Sequence, residues 1–323
     1  MNFDMILAAN KRLAGKRRRT QLLNSPFLDE IAGRRVFVKP ECLQQTGSFK
    51  FRGAYNAIAA LPDTVRTLGV LAISSGNHAQ GIAYAAKLFG IKAVIVMPSD
   101  APTMKIENTR AYGAKVVLYD RATEDRDKIG TDLAARDALT LIKPFDEPLV
   151  IAGQGTIGLE LAEQAKLRKI NEAEVLVPCG GGGLTSGIAL ALEAKAPGLR
   201  VRPVEPEGFD DVTRSLQTGV ITRNASTSGS ICDAIITPQP GDITFPIMQR
   251  LCGEGIVVSE SDCLCAMATA FARLKIVVEP GGAAALAAAL YQGDSLEGDS
   301  VIVVVSGGNV DGAVFQKALT DWG

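Results

Sequence analysis

Four consecutive glycines set the tightest limit on how this chain can fold. They lie in Pro178-Cys179-Gly180-Gly181-Gly182-Gly183-Leu184-Thr185-Ser186-Gly187, after the apolar strand-like run Val175-Leu176-Val177 and before a helix-like run from Ile188 to Lys195. A strand that turns into a helix through glycine exposes several backbone amides to one point, and the hydroxyls of Thr185 and Ser186 can add to them. That geometry suits a phosphate. A flexible linker of the same composition is not usually flanked by a buried-type strand and an alanine-rich helix. The punctuation recurs in Ser74-Ser75-Gly76-Asn77-His78-Ala79-Gln80-Gly81, between a strand from Val70 to Ile73 and a helix from Gly81 to Phe89. Its amides and hydroxyls could hold a carboxylate while Asn77 reaches a ring oxygen. A helix cap by Ser75 or Asn77 is compatible with that use.

Lys50 sits in Thr46-Gly47-Ser48-Phe49-Lys50-Phe51-Arg52-Gly53-Ala54, where another helix begins. A lysine in the first turn faces the positive end of the helix dipole, which normally costs stability. Held among Phe49, Phe51 and backbone dipoles, its charged form would be disfavoured, which prepares the amine to attack a carbonyl and form a Schiff base. The nonapeptide alone is equally compatible with an exposed lysine at a helix start.

These three stretches, together with Ser306-Gly307-Gly308-Asn309-Val310-Asp311, carry a resemblance that spans almost the whole chain in one order. The chain resembles the fold type II family of pyridoxal phosphate enzymes, and within it the serine/threonine dehydratase and serine racemase branch. The resemblance implies a tryptophan synthase β-like α/β fold, with two open twisted sheets flanked by helices. It makes Lys50 the Schiff-base lysine, with Phe49 packed near the cofactor ring and Asn77 bonded to the 3′-oxygen. Gly180, Gly181, Gly182, Gly183 and Leu184 would cradle the phosphate. Ser306 would face the pyridine nitrogen, and a neutral hydroxyl there leaves the ring largely unprotonated, which favours rapid loss of a β-substituent over transamination.

The resemblance also implies the substrate contacts. Ser74, Ser75, Gly76, Asn77 and His78 would meet the amino acid, and Arg126, Phe145 and Thr237 would surround its side chain. Phe145 and Lys143 depart from the residues usual at their positions, which weakens a strictly serine-specific pocket, while Arg126 leaves room for an acidic substrate such as 3-hydroxyaspartate. Lys50 would remove the α-proton, the β-hydroxyl would leave, and hydrolysis would give a 2-oxo acid and ammonia. Ser75, on the opposite face, keeps amino-acid racemisation of the serine or aspartate type open. In Glu205-Pro206-Glu207-Gly208-Phe209-Asp210-Asp211, Glu205 ends a strand and Asp211 opens a helix. Alone this reads as an acidic cap; the resemblance implies a divalent-cation site in which Glu205, the Phe209 carbonyl and Asp211 bind Mg²⁺, Ca²⁺ or Mn²⁺.

Composition removes other classes of function. At 323 residues with 47% hydrophobic content, alternating strand and helix signals read as an α/β protein with room for two domains. A net charge of −1 gives no general attraction to nucleic acid or anionic membrane, and Lys16-Arg17-Arg18-Arg19 is too short to change that, reading instead as a solvated helix end. His78 is the single histidine, so any Ser-His-Asp triad would have to use it. Six cysteines without a CxxC pair fit reduced thiols in a cytoplasmic protein. No apolar run is long enough for a membrane span or signal core. The coarse element pattern places a small substrate-closing domain at 69–146 inside a large cofactor-binding domain made of 1–68 and 147–323. The chain ends soon after Asp311, which the resemblance makes a short catabolic or racemase-like form, expected as a homodimer.

Two other classes of function compete. In a nicotinamide-dependent oxidoreductase, Gly180 and Gly182 would begin a GxG turn and Glu205 would be the ribose-binding acid. Thr185 then occupies the third glycine position, and Lys50, Asn77 and Ser306 are left without a role. A non-catalytic pyridoxal or amino-acid sensor would keep the binding residues and release no ammonia.

Overall fold

The computed structural model describes residues 1–101 and 103–323. Among them, nine strands form two sheets in which every pairing is parallel. The strands are β1 (Arg35–Pro40), β2 (Val70–Ile73), β3 (Ala93–Pro98), β4 (Lys115–Tyr119), β5 (Thr140–Leu141), β6 (Ala173–Pro178), β7 (Leu199–Pro206), β8 (Ile256–Val258) and β9 (Ser300–Val305). One sheet has the order β1-β9-β6-β7-β8 and the other β4-β3-β2-β5. Parallel strands covered by helices on both faces lose the usual in-out alternation and become continuous apolar runs. Ser300-Val301-Ile302-Val303-Val304-Val305 and Ala93-Val94-Ile95-Val96-Met97-Pro98 are such runs, buried at every position.

Three helices position the site. The helix Pro148–Leu167 packs on one side against Lys50–Ala60 and on the other against Gly183–Lys195. Both contacts are close enough to require glycine: a Cβ on Gly153 would lie 2.5 Å from the Arg52 carbonyl oxygen, and one on Gly187 would lie 2.6 Å from that of Ile151. The helix that begins at Lys50 and the helix that follows the glycine loop are therefore held to one shared support.

That support is reinforced by buried charge. The Arg52 guanidinium, fully buried, donates to Glu41 Oε1 at 2.7 Å and Oε2 at 2.8 Å and to Glu160 Oε1 at 2.7 Å. Lys39 Nζ and Arg17 Nε complete the shell around Glu160 at 2.6 and 2.7 Å. Burial alone would raise the Glu160 carboxyl, but Arg52 and Lys39 override it and hold it below the ordinary carboxylate range. The expected solvated helix end is thus corrected: the helix Phe3–Arg12 stops before the run, in which Lys16, Arg18 and Arg19 are exposed while Arg17 reaches into the ion cluster at Glu160.

Among the described residues no helix is long and apolar enough to cross a membrane. The six cysteines are free thiols.

Candidate active site

The loop before Lys50 is stitched to the loop after β9. Ser48 bridges Gly307, Phe49 N donates to the Ser306 carbonyl at 3.1 Å, and Gly308 N donates to the Gly47 carbonyl at 2.9 Å. Thr46 takes a left-handed φ of 60°, rare for a β-branched residue, and Asn309 Nδ2 holds its carbonyl at 2.8 Å. The helix Lys50–Ala60 then begins without a side-chain cap. Its first residue turns its amine into a cavity of about 170 Å³, where Nζ donates to the Pro144 carbonyl at 3.0 Å and lies 5.2 Å from the centre of the Phe49 ring. Burial lowers the Lys50 ammonium to about 8, against the opposing pull of Glu279.

The glycine loop forms the facing wall. Gly182 has φ +88°, which a side chain would strain, and a Cβ on Gly181 would lie 2.3 Å from the Phe145 ring. Its helix starts at Gly183, earlier than the apolar pattern from Ile188 suggests, so the amides of the last glycines belong to the helix's unpaired first turn. Among the described residues Thr185 Oγ1 is buried with no hydrogen-bond partner. The expected second hydroxyl is corrected: Ser186 Oγ turns away and donates to the Thr244 carbonyl at 3.2 Å, because the first helical turn points it at the neighbouring segment.

The Ser74–His78 segment supplies a third wall. Its helix runs Asn77–Phe89 with Gly76 at the cap position and no side-chain cap bond, so neither Ser75 nor Asn77 serves as a cap. Asn77 Oδ1 accepts from Asn309 Nδ2 at 2.7 Å, and its Nδ2 donates to Glu279 Oε1 at 2.6 Å. His78 Nε2 pairs with the Ile142 carbonyl at 3.0 Å, and its Nδ1 is buried without a partner. Burial, with the Lys50 charge adding to it, lowers the imidazole to about 3 and keeps it neutral. A catalytic triad on His78 has no acid here to orient the ring.

The cavity therefore gathers Phe49, Lys50, Ser74, Ser75, Gly76, Asn77, His78, Phe145, Gly180, Gly181, Gly182, Gly183, Leu184, Thr237 and Ser306. Arg126 does not reach it. It is exposed at the start of the helix Arg126–Asp137, where it borders a smaller separate hollow behind Ser74 and Ser75. Lys143 is exposed beside the cavity-lining Pro144 and Phe145.

Three polar groups that line the cavity, Gln154, Lys105 and Asp233, and a fourth behind Asn77, Glu279, give little or no signal in the sequence. Glu279 precedes Pro280 at the cap position of the helix Pro280–Tyr291 and would pass as an ordinary acid before a helix; burial raises its carboxyl to about 7. Gln154 Oε1 accepts from Gly53 N at 3.2 Å, leaving its buried Nε2 free. Lys105 and Asp233 carry no local signal at all.

Glu205 and Asp211 meet some distance along the same sheet. Glu205 Oε1 accepts from Val212 N at 2.9 Å, and Oε2 from Thr213 N at 2.7 Å and Thr213 Oγ1 at 2.6 Å. Asp211 Oδ1 accepts from Asn224 Nδ2 at 2.6 Å, while Oδ2 is buried with no partner. Burial and then the neighbouring Asp211 charge raise Glu205 to about 8, and burial raises Asp211 to about 7. Phe209 is buried between them in sequence. Among the described residues no three His, Cys, Asp or Glu side chains cluster as metal ligands, so a cation here would depend on this pair and backbone oxygen.

Comparison with known proteins agrees with this geometry. Residues 13–308 match the family model described as pyridoxal-phosphate dependent enzyme. The chain is 45% identical to L-threo-3-hydroxyaspartate ammonia-lyase of Pseudomonas sp over 98% of each chain. It is 40% identical to serine racemase of Schizosaccharomyces pombe, over 96% of this chain and 94% of the relative. The crystal structure of T.th. threonine deaminase superimposes with a TM-score of 0.91 at 45% identity, covering 96% of this chain and 99% of that one. With a family match across most of its length and relatives of this similarity, the chain belongs to the fold type II pyridoxal-phosphate dependent enzymes, in the serine/threonine dehydratase and serine racemase branch.

Proposed function

We propose that the cavity holds pyridoxal 5′-phosphate and that the enzyme eliminates water from a β-hydroxy amino acid of the L-serine or L-threonine class, the resulting enamine taking up water again on hydrolysis to give a 2-oxo acid and ammonia. The observation that carries this reading is the Lys50 amine, lowered to about 8 and projecting into a cavity shared with the glycine loop. The residues fit the cofactor. Free first-turn amides and the unpartnered Thr185 hydroxyl suit a phosphate, and the glycine cradle has no room for a Cβ at Gly181. Phe49 would pack against the ring, Asn77 would hold its 3′-oxygen, and the buried Ser306 hydroxyl would meet its nitrogen. When bound, the cofactor supplies a sink for the electron pair left on Cα.

The chain's own groups do the rest. An amine lowered to about 8 is partly unprotonated at neutral pH, so Lys50 serves as proton acceptor at Cα. The amides at the start of Asn77–Phe89, with Ser74 and Ser75, bind the substrate carboxylate. Phe145 and Thr237 bound the side-chain end. Residues 69–146 act as the unit that closes over the substrate and excludes water, against a large unit of 1–68 and 147–323.

Glu205, the Phe209 carbonyl and Asp211 would bind a divalent cation, Mg²⁺, Ca²⁺ or Mn²⁺; two buried carboxylates with raised pKa values and one bare oxygen fit a missing positive charge. A homodimer acting in the cytoplasm completes the proposal.

Ser75 favours a second activity. It lines the cavity as a hydroxyl able to return a proton to the other face of Cα, so racemisation accompanies elimination. A relative acting on L-threo-3-hydroxyaspartate supports an acidic substrate alongside serine and threonine. Ammonia release across L- and D-serine, L-threonine and the 3-hydroxyaspartates, with chiral analysis of recovered substrate, tests the reading. Absence of ammonia from all of them, by protein carrying the cofactor, overturns it.

A further inference from the structure

Lys105 is an anomaly in its helix. Thr103–Ala111 is mostly polar, yet the Lys105 side chain is buried, with 5% of the residue exposed, and among the described residues its one hydrogen-bond partner is Asp233 Oδ2 at 2.5 Å. Asp233 lies 128 residues further along the chain, in a segment without regular structure before the helix Thr244–Leu251. The pair thus joins a helix that packs beside β4 to a segment that packs on the other sheet's glycine loop. A buried ammonium is unfavourable unless a counter-charge meets it, and Asp233, itself half-exposed, is the carboxylate that does so.

The segment that Asp233 begins is a wall of the active site. Asp233, Ala234, Ile235, Ile236 and Thr237 all line the cavity. A Cβ on Gly180 would lie 3.2 Å from Ile235 Cα, so the glycine loop rests directly on this segment. At its far end the Thr237 carbonyl accepts from Asn224 Nδ2 at 2.8 Å, and the same amide group donates to Asp211. One end is therefore tied into the protein by Asn224; the other follows the buried Cys232 and is met from across the cavity by Lys105.

We propose that Lys105 and Asp233 form a clasp that holds the 233–237 wall against the Thr103–Ala111 helix, and that both are positioning residues for substrate binding. This rests on the proposed function in one respect, that the cavity is where the amino acid binds. Breaking the clasp frees the wall beside Gly180 and lets the two sheets separate at the mouth. Because the pair shapes the cavity and does not take part in proton transfer, its loss falls on KM more than on kcat, for uncharged and acidic substrates alike.

The test uses cofactor-loaded protein with Asp233→Asn, which keeps the side chain's shape, Lys105→Met, and the reversed pair Lys105→Asp with Asp233→Lys. Each single variant is expected to raise KM for L-serine on the order of tenfold, as pairs in contact couple by about 1–2 kcal/mol, with kcat little changed, and the reversed pair to recover part of the loss. Amide hydrogen exchange supplies a readout independent of turnover: residues 233–237 and 103–111 should lose protection together in Asp233→Asn and regain it in the reversed pair. Unchanged exchange in Asp233→Asn overturns the clasp. A loss confined to 3-hydroxyaspartate also overturns it, and makes Lys105 a contact for the substrate's second carboxylate instead. Wild-type protein without ammonia release would sink the functional reading, while the exchange comparison would still decide the clasp.

Discussion

Asn77 Nδ2 lies 2.6 Å from Glu279 Oε1, across 202 residues of chain, and this bond determines which way the Asn77 amide faces. With its Oδ1 taken by Asn309 Nδ2, the side chain has one remaining N–H. Three loops that are far apart in sequence, those at Thr46, Asn77 and Asn309, meet through the Asn309 amide.

Glu279→Ala should therefore loosen Asn77 without removing any residue proposed to touch the phosphate. Losing a hydrogen bond to a charged or polar buried partner costs about 1–3 kcal/mol, so cofactor affinity should fall while the fold persists. Equilibrium dialysis with pyridoxal phosphate measures it; unchanged affinity would show that Asn77 is oriented by Asn309 alone.

Lys50 should carry the cofactor. Borohydride reduction followed by peptide mapping is expected to leave the pyridoxyl group on Lys50, and Lys50→Ala should lose ammonia release and the cofactor's absorbance shift. A label on Lys105, the other lysine of the cavity wall, would reverse their assigned roles.

Glu205 and Asp211 make stability depend on pH in a defined direction. Their folded pKa values, about 8 and about 7, lie above the ordinary carboxylate range, so without a cation the folded state binds more protons than the unfolded one. The associated stability is fully present below the unfolded pKa values and is lost as pH rises through about 7 to 8. A divalent cation should remove that loss. Thermal melts from about pH 5 to about pH 9 in chelator and in Mg²⁺ check it, and coincident curves would leave the pair as a helix cap.

Arg52→Met leaves Glu41 and Glu160 buried with less compensation, which should cost about 3–5 kcal/mol of unfolding free energy. The Glu160 share of the wild-type stability is present above the ordinary carboxylate range and is lost as pH falls below it, because its folded pKa is lowered. Denaturant unfolding at about pH 7 and about pH 4 should show the Arg52→Met penalty shrinking at the lower pH.

Ser75→Ala separates the two proposed activities. Removing a proton donor or acceptor typically costs on the order of 10²–10⁴ in rate, so racemisation and turnover of D-serine should nearly vanish. Elimination from L-serine, which needs Lys50 alone for the α-proton, should be largely retained. Equal loss of both would make Ser75 a carboxylate ligand only.

The parallel α/β architecture and the position of the cofactor loops are legible from the residues in order. Val70 to Ile73 and Ala93 to Met97 read as strands because buried parallel strands are continuous apolar runs, and the turns before Gly183 and Asn77 read as binding loops because glycine and small polar residues there have few other uses. Lys50 stands out for a local reason as well, as a charge at the wrong end of a helix. Folding in three dimensions was needed to turn Ser186 to Thr244, to set Arg126 beside a different hollow, and to bring Glu279, Lys105 and Asp233 to the site. These depend on contacts between segments tens to hundreds of residues apart. Local periodicity reports which face of an element is buried, whereas the partner on that face, and so the burial and pKa of each charge, follows from how the two sheets and their helices pack.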